Sequence, residues 1–135
     1  MESCIFCQLK NDKSAIIYEN EECFVVLDKY PIEKGHLLVI SKEHYENMLD
    51  APDSAIASMF IVAKIFAKRL KEVLGANSVN IGTNVGRLAG QRIMHFHVHV
   101  VPRYPGTRRS FDYGHGRELS EKEKSELMSK LKTSQ

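Results

Sequence analysis

Tryptophan is absent, and three cysteines in 135 residues are too few to staple a small secreted fold. Two of them, Cys4 and Cys7, form a C-x-x-C, and this usage fits a reducing compartment, so a cytoplasmic location is expected. An excess of one charge is missing too. Nineteen Lys and Arg against seventeen Asp and Glu leave a formal net charge of +2, too little to hold a nucleic acid or a membrane surface non-specifically. No run of eighteen apolar residues is available to span a bilayer, and Met1-Glu2-Ser3-Cys4 has neither the basic nor the apolar region of a signal peptide. Internal repeats and low-complexity segments are also lacking. What remains is an ordinary globular composition, 43% hydrophobic and 27% charged. One domain is expected, large enough for a core and small enough that dimerisation would help to bury apolar surface.

Half of the six histidines stand in a single row, His95-Phe96-His97-Val98-His99-Val100-Val101. Strict alternation of this kind marks a half-buried strand, with the imidazoles on one face and Phe96, Val98 and Val100 on the other. Next-but-one residues on such a strand are roughly 6.6 Å apart, so one imidazole can attack an atom that its neighbours hold. A satisfied structural role suits a lone histidine but not three on one face. A metal site suits the spacing as well as a nucleophile does, because imidazole is a common zinc ligand. Pro102 is expected to end the strand.

The rest of the chain reads as α+β: an antiparallel sheet of about five strands with one long helix on one face. Ala15–Tyr18 and Cys23–Leu27 are strand-like runs joined by Glu19-Asn20-Glu21-Glu22, a hairpin. Asp28 follows at once and can open the turn at Lys29-Tyr30-Pro31. Gly35–Ile40 is a third strand carrying His36. Ser41 can cap a short helix with His44 in its first turn, which favours a neutral, metal-binding imidazole. Asp50-Ala51-Pro52-Asp53 opens the long helix, with Asp50 as cap, Ile56, Met59, Phe60, Ala63, Phe66, Ala67, Leu70 and Val73 as its apolar stripe, and Gly75 as its stop. Ile61, Val62 and Ile65 widen the stripe towards a partner subunit. Ser78–Thr83 is the fourth strand, and the loop Asn84–Gly90 supplies glycines and an amide donor for a close backbone approach to an anion. Residues 1–103 form the core of the domain. Residues 104–135 add a loop rich in arginine and aromatic residues (Arg108, Arg109, Phe111, Tyr113) and a helix opened by a Ser120/Glu123 capping box, whose narrow apolar edge packs on a partner or frays.

The row His95–Val101, with Gly90-Gln91 upstream, resembles the histidine triad motif, and the resemblance runs from Cys4 to Arg103. It implies a nucleotide hydrolase acting at the α-phosphate of a nucleoside 5′-phosphoryl compound, a dinucleoside polyphosphate or a nucleoside phosphoramidate. The implied chemistry is attack by His97 and a covalent nucleotidyl-histidine. His99 would neutralise the phosphate, Gln91 would contact the leaving group and His36 would orient His97. Asp28 then corresponds to the acidic residue that holds the ribose, and Asn84 lies in the phosphate loop. Phe6, Leu9 and Leu38 are candidates for the base. The resemblance also implies a symmetric homodimer and a structural zinc on Cys4, Cys7, His44 and His95, with no metal needed for the chemical step. Arg92, directly after Gly-Gln, departs from the small hydroxyl residue common in phosphoramidase members and suits extra phosphates. The alternatives are a nucleotidyltransferase or phosphorylase of the same superfamily, a nucleotide-binding protein with feeble turnover, or a zinc hydrolase with His95, His97 and His99 as ligands.

Overall fold

A computed structural model describes residues 4–107, 113 and 116–132. The expected hairpin is present: β1 (Tyr18–Glu19) runs antiparallel to β2 (Cys23–Leu27) with Tyr18 opposite Val25. Asn20 makes its turn, the side-chain oxygen accepting the Glu22 and Cys23 N–H groups at 2.8 and 3.0 Å. β3 (Leu37–Ser41), β4 (Ser78–Gly82) and β5 (His97–Arg103) complete a five-stranded antiparallel sheet in the order β1-β2-β3-β5-β4. Its centre is the β3–β5 ladder, where Ile40 faces His97 and Leu38 faces His99.

Alternation along the central strands splits the apolar residues between two layers. Cys23, Val25, Leu37, Val39, Val98 and Val100 point to one face and form the main core with α2 (Asp53–Leu74) through Met59, Val62, Ala63, Phe66 and Leu70. Phe24, Val26, Leu38 and Ile40 point to the other face, where α1 (Ile5–Leu9) lays Phe6 against them. His97 and His99 share this second face. Burial on both sides explains why β2 and β3 read as continuous apolar runs. Gly75 ends α2 in the left-handed region at φ 72°, where its N–H bonds back to the Leu70 carbonyl.

Four local expectations are corrected. Pro102 does not end the triad strand: it lies within β5, opposite Val79. Arg103 turns its carbonyl to Asn77, so Pro102 faces the other side, where β3 has already finished at the Leu37–Val100 pair and no N–H is missed. Asp50 does not cap the long helix. It closes a 3-10 turn (Met48–Asp50) capped by Asn47, and Pro52 is the residue that precedes α2. Ser41 is the last residue of β3 and caps no helix. Its hydroxyl donates to the Glu43 and Phe96 carbonyls, so His44 sits in an irregular segment and gets its orientation elsewhere.

The fourth correction concerns α3 (Glu121–Leu131), which neither frays nor awaits a partner. The Ser120/Glu123 capping box forms as expected, and Leu127 and Leu131 enter the main core, with Arg69 of α2 donating to the Leu131 carbonyl at 3.2 Å. Of the three residues expected to widen the α2 stripe towards a partner, one turns into the chain's own core. Val62 is buried, but Ile61 and Ile65 stay 59% and 48% exposed. Arg108, Arg109 and Phe111 lie outside the described residues.

Candidate active site

Three hydrogen bonds fix the tautomers on the second face of the sheet. The Ile32 N–H donates to His36 Nδ1 at 3.0 Å, so the His36 proton is on Nε2. That Nε2–H points at His99 Nδ1, 3.0 Å away, with an Asp28 carboxylate oxygen at 3.4 Å. The proton of His99 is therefore on its Nε2. The third bond is His97 Nδ1–H to the carbonyl of His95, at 2.6 Å, which leaves the Nε2 lone pair of His97 unprotonated. His36 thus orients His99 and not His97, against the expectation that it would set the nucleophile. The backbone of His95 does that, and the Thr83 hydroxyl holds the His97 carbonyl at 2.6 Å.

Burial keeps these rings neutral. It pushes His97 below the usual histidine range against the raising effect of the His95 carbonyl. Burial lowers His36 to about 3, helped by Arg103 and His97, and His99 to about 2, helped by His97 and His36. The 3.4 Å contact between His36 and Asp28 is accordingly no ion pair; burial raises the Asp28 carboxyl while the Tyr30 N–H at 2.8 Å partly offsets this. A pH dependence follows. Unfolded His36 takes up a proton below about 6.5, whereas the folded residue does so only near 3. The unfolded chain therefore holds more protons in this window, and stability is lost as the pH falls through it. The melting temperature should be level above pH 6.5, decline below it, and decline less steeply in His36→Leu.

His97 and His99 open onto a cavity of about 620 Å³, whose walls include Phe6, Leu9, Leu38 and Asp28. Its size is ordinary for a small-molecule site. Phe6 meets the His97 ring edge-on, with centroids 5.1 Å apart. A second, polar cavity of about 610 Å³ adjoins it and shares Gly90, Arg92 and Tyr113. Asn84, Arg87 and Gln91 line this one, and Asn84 is not among the residues lining the first. Gly90, at φ 101°, lies under the Asn84 amide; a Cβ there would come within 3.1 Å of Asn84 Nδ2.

Gln91 is nearly buried, and its amide is taken up by its own loop. It accepts the Gly86 N–H at 2.8 Å and donates to the Glu46 and Ile93 carbonyls at 2.7 and 3.0 Å. In this arrangement both amide hydrogens and the oxygen of Gln91 are engaged within the protein, which is not the leaving-group contact expected of it. Tyr113 was hidden in a stretch without periodicity. Its ring stacks on His99 with centroids 3.6 Å apart and planes 14° from parallel. The aromatic content of residues 104–117 was the only sequence signal for it.

The fourth constellation is Cys4, Cys7, His44 and His95, whose ligand atoms all lie within 4.8 Å of one another. Cys4 and Cys7 are held by the first turn of α1, where Cys4 accepts the Cys7 N–H at 3.3 Å. His95 Nε2 bonds to the Ser41 carbonyl at 2.7 Å, so its Nδ1 lone pair faces Cys4 Sγ at 3.2 Å and Cys7 Sγ at 3.6 Å. His44 Nδ1 lies 3.2 Å from Cys7 Sγ. A tetrahedral zinc with ordinary bond lengths requires N···S edges of about 3.5 Å, so the donor set fits such an ion. Because His95 is turned to the sulfurs, His95, His97 and His99 do not converge on one point, and the three-histidine metal site is not formed. Asp28, His36 and His99 make the other convergent group among the described residues.

Comparison with known proteins decides the family. Residues 10–106 match the model of the HIT domain, most of the chain. The chain belongs to the HIT, or histidine triad, family. An adenylylsulfatase of Arabidopsis thaliana, HINT3, is 34% identical over 102 residues, 74% of this chain but only 52% of that protein. A hypothetical histidine triad nucleotide-binding protein from Sulfolobus tokodaii is 34% identical with a TM-score of 0.85, covering 96% of this chain and 89% of that one. A Zn-bound histidine triad family protein from Mycobacterium smegmatis is 35% identical with a TM-score of 0.79, covering 96% and 94%. The HIT family includes nucleotide-binding proteins and hydrolases, and the Cys4, Cys7, His44 and His95 cluster is compatible with zinc.

Proposed function

We propose that this HIT protein hydrolyses a nucleoside 5′-phosphoryl compound at its α-phosphorus through a covalent nucleotide on His97. The observation that carries the reading is the 2.6 Å bond from His97 Nδ1–H to the His95 carbonyl, which aims a neutral Nε2 lone pair into the nucleoside cavity. In the first half, His97 Nε2 forms a bond to phosphorus as the bond from phosphorus to the leaving group breaks. The new positive charge on the ring is held by the His95 carbonyl. His99 Nε2–H, whose tautomer His36 fixes, donates to the phosphoryl oxygens as charge grows on them. In the second half, water attacks phosphorus, the N–P bond breaks, and neutral His97, a nucleoside 5′-monophosphate and a proton are released. Asp28 accepts from the ribose hydroxyls, and Phe6, Leu9 and Leu38 enclose the base.

Zinc on the cysteine–histidine set is structural in this reading: it ties α1 to the segment before β5, and no step of the chemistry passes through it. The adjoining cavity, with Arg87 and Arg92, favours an anionic polyphosphate as leaving group over an amine. A turnover screen of diadenosine polyphosphates, adenosine phosphoramidate and nucleotide sugars tests the reading, with the polyphosphates expected to be cleaved fastest. Arg92→Ala should then lower kcat/KM for the polyphosphate by about tenfold or more and leave the phosphoramidate nearly unchanged. Equal losses on both substrates would remove the polyphosphate assignment. A homodimer belongs to the same proposal: β4 is an edge strand carrying exposed Ile81, and Ile61 and Ile65 of α2 are exposed in one chain.

A further inference from the structure

The nucleoside cavity has one wall that the triad does not explain. Glu118 and Leu119, on the arm leading into α3, and Glu121 and Lys124, in its first turns, line it together with the apolar Ile5, Leu9, Ala15 and Val26. This wall is anchored. Leu119 N–H donates to the Lys29 carbonyl at 3.1 Å, the capping box holds residues 120–123, and Leu127 and Leu131 fix α3 in the main core. The neighbouring charges along the arm are paired, Glu118 with Lys29 at 3.6 Å and Glu123 with Arg117 at 2.8 Å. By contrast, the Glu121 side chain forms no hydrogen bond or ion pair among the described residues, Lys124 feels only the attraction of the Asp12 carboxylate without a direct bond to it, and both border the cavity.

We propose that Glu121 and Lys124 are base-specificity residues that read the edge of guanine. The inference rests on the nucleotide reading above and adds to it the choice of base. Three residues apart in a helix, the two side chains are neighbours on one face and present a carboxylate beside an ammonium. The flat faces of a base need only apolar contact, which the apolar lining can provide, whereas its edge must meet polar groups or lose its hydrogen bonds to water. Guanine offers two adjacent donors, N1–H and the 2-amino group, next to the O6 acceptor. A carboxylate takes both donors with its two oxygens, and the ammonium donates to O6. Adenine offers one amino group beside a ring nitrogen lone pair, which leaves the second carboxylate oxygen facing a lone pair.

The experiment uses GMP, IMP and AMP as probes in titration calorimetry of the full chain. IMP differs from GMP only by lacking the 2-amino group. GMP should bind about tenfold more tightly than IMP and AMP, and the GMP/IMP ratio should fall close to one in Glu121→Ala. Glu121→Gln, which keeps the side-chain shape, should lower the ratio as well, so a folding defect in one variant does not decide the matter. Lys124→Ala should weaken GMP and IMP by the same factor, because both carry O6. Equal affinities for GMP and IMP in the unaltered protein, or a ratio that survives Glu121→Ala, would overturn the assignment while leaving the nucleotide site intact. If none of the three nucleotides bound, the nucleotide reading itself would fall.

Discussion

His97→Ala should lower kcat by at least about 10³-fold while nucleoside monophosphate affinity stays within a few-fold of the unaltered protein. The substitution removes the attacking atom and little else. Phe6 loses its edge contact with the His97 ring, but it and Leu38 stay in the second layer of the core, and Asp28 keeps its bond from the Tyr30 N–H. The size of the effect separates catalysis from binding: a protein that merely holds nucleotides would lose affinity, because an imidazole facing the phosphate is gone, and would have no rate to lose. His99→Ala is expected to be milder, since the attacking lone pair of His97 stays in place and Arg87 and Arg92 still line the adjoining cavity. Single-turnover rates and titration calorimetry on the same preparation check both halves of this expectation.

Removing the zinc proposed on Cys4, Cys7, His44 and His95 should act on the fold and on the cavity beside α1 together. Cys4 and Cys7 bracket Ile5 and Phe6, so one short helix presents sulfurs to the ion and hydrophobic side chains to the cavity. Without zinc, α1 keeps the burial of Phe6 but loses the link to His44 and His95, and terminal segments are ordered only where something ties them down. Cys4→Ser is expected to abolish stoichiometric zinc by elemental analysis and to lower the melting temperature by roughly 10 °C. Nucleotide affinity should fall with it, because a wall of the cavity is loosened. The chemical step should suffer far less than in His97→Ala, because the bond that sets the nucleophile runs to the backbone of His95, not to its ring. Metal-free protein with unchanged melting and unchanged affinity would show the C-x-x-C to be incidental. Zinc that persists in Cys4→Ser with Cys7→Ser but vanishes in His97→Ala would contradict the assignment of ligands.

Much of this was legible in the chain because period and residue type spoke together. Alternation in His95–Val101 put His97 and His99 on one face of β5 and Val98 and Val100 on the other, as the two core layers require. The stripe on α2, the Gly75 stop and the Ser120 capping box were local signals that tertiary contacts reinforced. Errors arose where long-range partners overrode local chemistry. Ser41 looks like a cap by itself, but β2 pairs with it through Cys23 and keeps it in a strand. Pro102 looks like a terminator until the early end of β3 leaves its nitrogen without a partner to disappoint. Gln91 and His36 were credited with substrate and nucleophile contacts that no spacing could test; the fold directs one into its own loop and the other to His99. Tyr113 comes from a stretch without a period, and Glu121 and Lys124 from a helix whose place against the sheet no local pattern gives, so only the folded chain brings the three to one cavity.

The covalent nucleotide on His97 is the most exposed claim, and one measurement meets it directly. Protein quenched into alkali during turnover of a dinucleoside polyphosphate should carry one nucleoside monophosphate residue, located by peptide mass spectrometry on the fragment that contains His97. The adduct should be lost on acid treatment, as a phosphorus–nitrogen bond requires, and should be absent in His97→Ala. Turnover without any adduct, or an adduct that persists in His97→Ala, would contradict a two-step displacement at this residue.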